Sequence, residues 1–212
     1  MKIKKELERR SYAFEVRAEK DDQGGNIIVG RPIVYDKMTD LGWFDEIIER
    51  GALDDANLQD VRFLVNHDTS KIPLARSRRN NKNSTMQLTV DDEGMSIRVT
   101  LDVENNADAR SLYSAVQRGD ISGMSFMFSI DDYEWENLES DHPTRHIRKI
   151  GTVVEVSAVT FPAYEQTEIS TRCQQALESA RSAVETARQQ QRAVDTDQLA
   201  LAKLKAKYLY KI

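Results

Sequence analysis

Cysteine is all but absent from this chain of 212 residues. The one thiol, Cys173, cannot close an internal disulfide, and with only three histidines beside it the chain lacks the ligands of a structural zinc site. A fold stapled by disulfides is excluded, and a reducing compartment fits. No run of about 18 apolar residues occurs, and the basic start MKIKKELERR leads into SYAFEVRAEKDDQGG rather than an apolar stretch. Neither a membrane span nor a secretory signal is expected. Positive charge is not in excess: 30 Lys and Arg face 35 Asp and Glu, a formal net charge of -5, which argues against a broad attraction to nucleic acid or to an anionic membrane. Internal repeats are missing as well. What is present, 40% apolar and 31% charged residues, is a polar but foldable balance, and the length suits one domain with an appendage or at most two small domains. Nearly all aromatic residues precede residue 165, so the core is expected there.

Between Arg10 and Tyr164 the dominant hydrophobic period is two. Tyr12, Phe14 and Val16 alternate with polar residues, Ile27 to Val34 and Trp43 to Ile48 are short apolar runs, and Val61 to Val65 reads as a buried strand. Met86, Leu88 and Val90 pair with Met95, Ile97, Val99 and Leu101 as a hairpin whose turn, Asp91 to Gly94, ends on a residue suited to positive φ. One amphipathic helix is expected over Ala107 to Arg118, with Asn106 as its N-cap and Gly119 as its stop. A shorter helix fits Gly51 to Leu58. Four more strands are read at Ser122 to Ile130, Tyr133 to Asn137, His146 to Ile150 and Thr152 to Phe161. So many short strands with few helices point to a mainly β, α+β fold, with closure into a β-barrel as the way to remove exposed edges.

After Pro162-Ala163-Tyr164 the composition shifts to Ala, Gln, Arg, Glu and Lys, without Gly, Pro, Trp or Phe. A helical tail is expected, with Ala176, Leu177, Ala180, Val184 and Ala187 on one face. Asp195 to Gln198 reads as a capping box that opens a second helix bearing Leu201, Leu204 and Tyr208. So thin a stripe buries too little to fold alone and suits either a partner helix or coiled coil, or a largely solvated, partly disordered tail. Residues 1–168 are therefore taken as a folded domain and 169–212 as a helical tail, held by few contacts and so open to cleavage.

Three residues invite chemistry, and each also has a plain structural reading. His67 ends a buried strand, flanked by Asn66 and Asp68, where an imidazole is held rigidly at a rim or the terminus is merely polar. Ser125, in Gly123-Met124-Ser125-Phe126, lies opposite its apolar neighbours, either as a nucleophile or as a serine bonded to backbone. Glu155 stands among valines of the last strand, so its carboxylate is either solvated or paired. His142 and His146 occupy a polar turn and the strand that follows.

In their order and spacing, Asn66-His67-Asp68, Gly123-Met124-Ser125-Phe126 and Glu155-Val156-Ser157-x-Val159-x-x-Pro162-Ala163-Tyr164 resemble the prohead maturation proteases of tailed bacteriophages. Phe44-Asp45-Glu46 with Arg50-Gly51-Ala52-Leu53 adds context. That family is similar in fold to the herpesvirus assemblins, which implies an assemblin-like β-barrel with packed helices over Arg10 to Tyr164. The resemblance implies a serine endopeptidase with His67 as general base and Ser125 as nucleophile. Assemblins use a second histidine as the third member; in the matching late strand this chain offers Glu155, whose carboxylate would accept the imidazole N–H and fix its tautomer, with His146 as its rival. Arg148 or backbone N–H groups are candidates for the oxyanion site. It implies no metal or cofactor, and as substrates the scaffold, the major capsid protein and the enzyme itself. The portal is a further partner, and self-association into a homo-oligomer fits. The setting is the assembling prohead in the host cytoplasm. The competing reading is a capsid assembly or scaffolding protein without activity; a metal-dependent hydrolase stands behind both.

Overall fold

The structure, a computed structural model, describes residues 7–12, 16–160 and 171–209. Its strands are β1 (Leu7–Tyr12), β2 (Val16–Lys20), β3 (Asn26–Val34), β4 (Thr39–Asp40), β5 (Asp45–Ile48), β6 (Asp60–Val65), β7 (Ala75–Arg78), β8 (Met86–Asp91), β9 (Gly94–Thr100), β10 (Gly123–Glu136) and β11 (Thr144–Val159). Helix α1 (Ala107–Arg118) lies between β9 and β10, and α2 (Thr171–Leu209) follows β11. This is the expected mixed class, mostly strands with two helices. The chain divides into two units, one from 1–38, 47–134 and 146–168, the other from 39–46, 135–145 and 169–212.

In the first unit β2, β3, β9 and β8 form an antiparallel sheet in that order. In a second sheet β1 pairs antiparallel with β10, β10 neighbours β11, β6 runs parallel to β11, and β7 closes antiparallel on β6. Ile28, Ile33, Ile97 and Val99 of the first sheet share one buried cluster with Phe63, Phe126, Phe128 and Val156 of the second. The β8–β9 hairpin is as read from the sequence, with Asp91 opposite Gly94. Gly94 sits at φ 137, and a Cβ there would meet the Ile33 carbonyl oxygen at 2.1 Å. Arg31 forks onto Asp91 at 2.6 and 2.8 Å, and this pairing holds the Asp91 carboxyl down at about 2. Helix α1 also follows expectation. The Asn106 side chain accepts from the N–H groups of Asp108 and Ala109, Gly119 is left-handed at φ 80, and Ala109, Leu112 and Val116 face inward.

Several expectations are corrected. Neither sheet closes on itself among the described residues, so the barrel reading is not met as a closed structure. The edges are managed otherwise: the strands that end the sheets are two to six residues long, and β1, β2 and β7 carry Arg, Glu or Lys along them. Gly51 to Leu58 is a chain of turns rather than a helix. Bonds from Ala52 N to Glu49 O, Asp54 N to Gly51 O and Ala56 N to Leu53 O close successive turns, starting from Gly51 at φ 86. The four late strands are two long ones, because the Asp131-Asp132 pair does not break β10 and Gly151 does not break β11. Gly151 instead makes room for a neighbouring strand: a Cβ there would lie 1.9 Å from Asp131 Oδ1. Strand β7, with a single apolar residue, gave no periodic signal. Phe14 and the Pro162-Ala163-Tyr164 segment lie outside the described residues.

In the second unit α2 is one continuous helix. Its Asp195-Thr196 segment caps nothing, since Thr196 Oγ1 donates back to the Arg192 carbonyl at 2.8 Å and Gln191 Nε2 donates to Asp195 Oδ1 at 3.1 Å. Ala180 and Val184 pack with Phe44, Leu41 and Trp135. Beside this cluster Glu46 and Arg145 form a buried ion pair, with Nε 2.9 Å from Oε2, and the guanidinium lies 4.8 Å from the Phe44 ring centre. Glu46 is 1% and Arg145 3% exposed, so removing one partner strands a charge. Glu46→Ala is expected to cost about 3–5 kcal/mol, and Glu46→Leu with Arg145→Met to restore most of it. Both tryptophans, Trp43 and Trp135, belong to this unit. Urea unfolding followed by their fluorescence measures the difference, and a loss below about 1 kcal/mol for the single variant contradicts it.

Candidate active site

The second sheet of the first unit has an apolar and a polar face. Met124, Phe126 and Phe128 of β10, Val156 and Ala158 of β11 and Phe63 of β6 join the core cluster. Alternation therefore turns Ser125, Glu155, Ser157 and Leu64 to the other face. The parallel register sets Glu155 opposite Arg62 and Ser157 opposite Leu64. Ser125 stands on the strand next to that of Glu155 and Ser157, and neighbouring strands are about 4.8 Å apart.

His67 reaches this face by a local reversal of the chain. Asn66 and His67 both adopt left-handed backbone, at φ 52 and 57. Asparagine tolerates that region better than most residues, and here its side chain also clasps the next strand. Asn66 Nδ2 donates to Thr160 Oγ1 at 3.1 Å, and Oδ1 accepts from Thr160 N–H at 3.0 Å. The Asn66 N–H donates to the Ala158 carbonyl at 2.9 Å. His67 N–H then meets Ser157 Oγ at 3.1 Å, and the imidazole Nδ1 is in short contact with Glu155 Oε1. Ser157 Oγ donates to Glu155 Oε2 at 2.6 Å. Glu155, 2% exposed, thus has a polar partner on each oxygen, which offsets the desolvation of its charge.

Ser125 is fully buried. Its hydroxyl donates to the Arg10 carbonyl at 2.7 Å and accepts from Ser11 Oγ at 2.8 Å. The other sequence candidates lie apart from this group. His146 Nδ1 pairs with Glu49 Oε1 at 3.1 Å, and Arg148, about half exposed, is ion-paired with Glu134 and Glu49. Beside the His67 turn a cleft of about 280 Å³ runs between Leu64, Val65 and Ile72 on one side and Leu112 and Ala115 of α1 on the other.

A rigid imidazole held by a buried carboxylate, on one sheet face with a serine, is the equipment of nucleophilic hydrolysis. Family comparison settles the class: residues 12–182 match the model of the caudovirus prohead serine proteases. The chain belongs to that family. It is a serine protease of phage prohead maturation. No curated protein sequence matches it. Among solved structures the prohead protease is similar to the bacteriophage T4 capsid assembly protease gp21, at 12% identity and a TM-score of 0.40, covering 73% of this chain and 99% of that one.

Within the second unit of the prohead protease, Asp40, Asp45 and His142 present ligand-type atoms within 4.8 Å of one another. They stand as ion pairs, with His142 Nε2 3.3 Å from Asp45 and 3.6 Å from Asp40 when the ring is protonated. No helix among the described residues is long and apolar enough to cross a membrane. Two residues of the site escaped the sequence reading in their roles: Ser157, present there only within the motif that begins at Glu155, and Asn66, read only as a flank of His67. Positive φ at Asn66 gives a test. Asn66→Gly loses the clasp but keeps the conformation, at about 1 kcal/mol, whereas Asn66→Ala adds a left-handed penalty and is expected near 2 kcal/mol. Equal losses in urea unfolding would show that the backbone conformation is not the constraint.

Proposed function

We propose that this protease cleaves peptide bonds with Ser125 as nucleophile, His67 as general base and Glu155 as the group that orients it. Supporting this most directly is the Glu155–His67 Nδ1 contact, which leaves Nε2 as the proton acceptor. In this reading Ser125 Oγ attacks the scissile carbonyl carbon while its proton passes to His67 Nε2. The tetrahedral intermediate collapses as His67 returns that proton to the departing amine. Water, deprotonated by the same nitrogen, then releases the acyl group and restores the serine. The Glu155 carboxylate stabilises the imidazolium that forms. Ser157 is the positioning residue for both: its hydroxyl fixes the carboxylate rotamer and anchors the His67 backbone. His146 is tied to Glu49 instead, which favours Glu155 over it. In this proposal the Glu155 carboxylate takes the place of the second histidine of the assemblins.

The substrates in this proposal are the scaffold, the major capsid protein and the protease itself, acting inside the assembling prohead in the host cytoplasm, with the portal as a neighbour and self-association of the enzyme as a feature of that setting. Residues 1–168 form the catalytic domain and 169–212 a tail that docks on helices of scaffold or shell. Leu199, Leu201 and Leu204, each about half exposed on α2, give that tail an apolar surface. The cluster of Ala180 and Val184 with Phe44 sets a limit, since truncation uncovers it.

Two experiments test these assignments. Ser125→Ala and His67→Ala are each expected to lower peptide hydrolysis by roughly 10⁴-fold or more with the fold retained, and the double variant to be no worse than either. Multiplying losses would mean that the two residues do not act together. Glu155→Gln should cost less than either, and Ser157→Ala less again, with rescue by Ser157→Thr. Truncation after residue 170 should keep peptide hydrolysis but abolish incorporation into shells, and a truncated protein that folds yet has lost hydrolysis would move the domain boundary.

A further inference from the structure

The hydroxyl assigned above as nucleophile is held by the chain's own N-terminal strand. Strand β1 lies antiparallel on β10 with Ser11 opposite Ser125, and both hydrogen bonds described for the Ser125 hydroxyl go to it. A serine hydroxyl carries a single proton. Donated to the Arg10 carbonyl, that proton is not available to His67, while Ser11 takes up one of the oxygen lone pairs needed for attack. Strand β10 has two flanks. Strand β11, with Glu155 and Ser157, holds one, and β1 holds the other. An extended peptide that pairs with β10 to bring a carbonyl to Ser125 needs the flank on which β1 lies. The Arg10 carbonyl oxygen lies on that flank and accepts the hydroxyl proton.

We propose that β1 is an intramolecular stopper that keeps the protease latent by occupying the strand position of an extended peptide substrate, and that activation requires its release from β10. The proposal rests on Ser125 being the nucleophile. The strand suits a reversible role, being six residues long with Leu7 half exposed and Glu8, Arg9 and Arg10 charged. None of its described residues belongs to the buried apolar cluster, and its Arg10 is tied to Glu8 and lies 5.6 Å from the Phe128 ring centre, so its release breaks a ladder and a ring contact without emptying the core. The family match begins at Tyr12, so Leu7 to Ser11 precede the part of the chain shared with the family.

The test tethers β1 in the full-length protein. Arg9 and Met127 are directly opposed, and such pairs have Cα atoms about 4.5–5.5 Å apart, within disulfide range. In a Cys173→Ser background, Arg9→Cys with Met127→Cys is oxidised or reduced and treated with a fluorophosphonate that labels reactive serines. Labelling of Ser125, located by mass spectrometry, should be at least tenfold slower in the oxidised form and recover on reduction. Ser11→Pro, which breaks the ladder without a tether, should label faster than wild type. Equal rates in oxidised and reduced protein, with Ser125 labelled in both, overturn the stopper and leave the nucleophile standing. Labelling at some other serine, with Ser125 silent even in the reduced and Ser11→Pro proteins, overturns the nucleophile assignment and the stopper with it.

Discussion

The parallel pairing of β6 with β11 is the constraint from which the rest of the site follows. Its register, Glu155 with Arg62 through Ala158 with Val65, brings the end of β6 alongside the last residues of β11. Only then can Asn66 donate to Ala158, clasp Thr160 and turn the chain so that His67 N–H lands on Ser157. A slip of one residue would send Glu155 and Ser157 into the apolar cluster and Val156 to the polar face. Register here is fixed by the cost of burying a carboxylate in the wrong place, and the same cost holds the imidazole where it is.

The carboxylate is itself destabilising until its partners are present. Burying Glu155 unpaired would cost several kcal/mol, and its two oxygens are met by His67 and by Ser157, one from a turn and one from its own strand. The His67 contact depends on left-handed backbone at Asn66 and His67, conformations that cost about 1–3 kcal/mol each. Thr160 and the Ala158 carbonyl supply hydrogen bonds against that cost. Strain at the turn and charge burial on the strand thus stabilise one another, and neither segment has reason to adopt its geometry alone.

How much of this was legible depended on whether the signal was local. The β8–β9 hairpin and α1 announce themselves by alternation, a turn glycine and caps, all within a dozen residues, and both formed as read. His67, Ser125 and Glu155 could be singled out because each is a polar residue set against apolar neighbours in a strand. The meeting of His67 and Glu155 could not be read locally, since they are 88 residues apart and joined by a parallel pairing without a sequence signature. Strand β7 has one apolar residue and exists because Asp60 and β6 give Arg76 a partner. Charged stretches suggested turns in β10 and a capping box suggested a break in α2. In both places a long-range ladder or a continuous helix won, because a polar residue permits a turn without requiring one.

Openness of the sheet bears on what the enzyme can do. In a closed barrel every strand has two partners, and an extended peptide has nowhere to add. Here β10 carries Ser125 with β11 on one side, and the opposite side would be a bare edge without β1. A bare edge beside buried apolar residues invites pairing with any extended chain, so some strand must fill it at rest. Strand β1 does so with charged side chains and without contributing a described residue to the buried apolar cluster, an arrangement suited to exchange. Under the proposed assignment of Ser125, protection of the edge and access of a substrate to it become alternative occupations of one strand position, and how firmly β1 is held sets the balance between them.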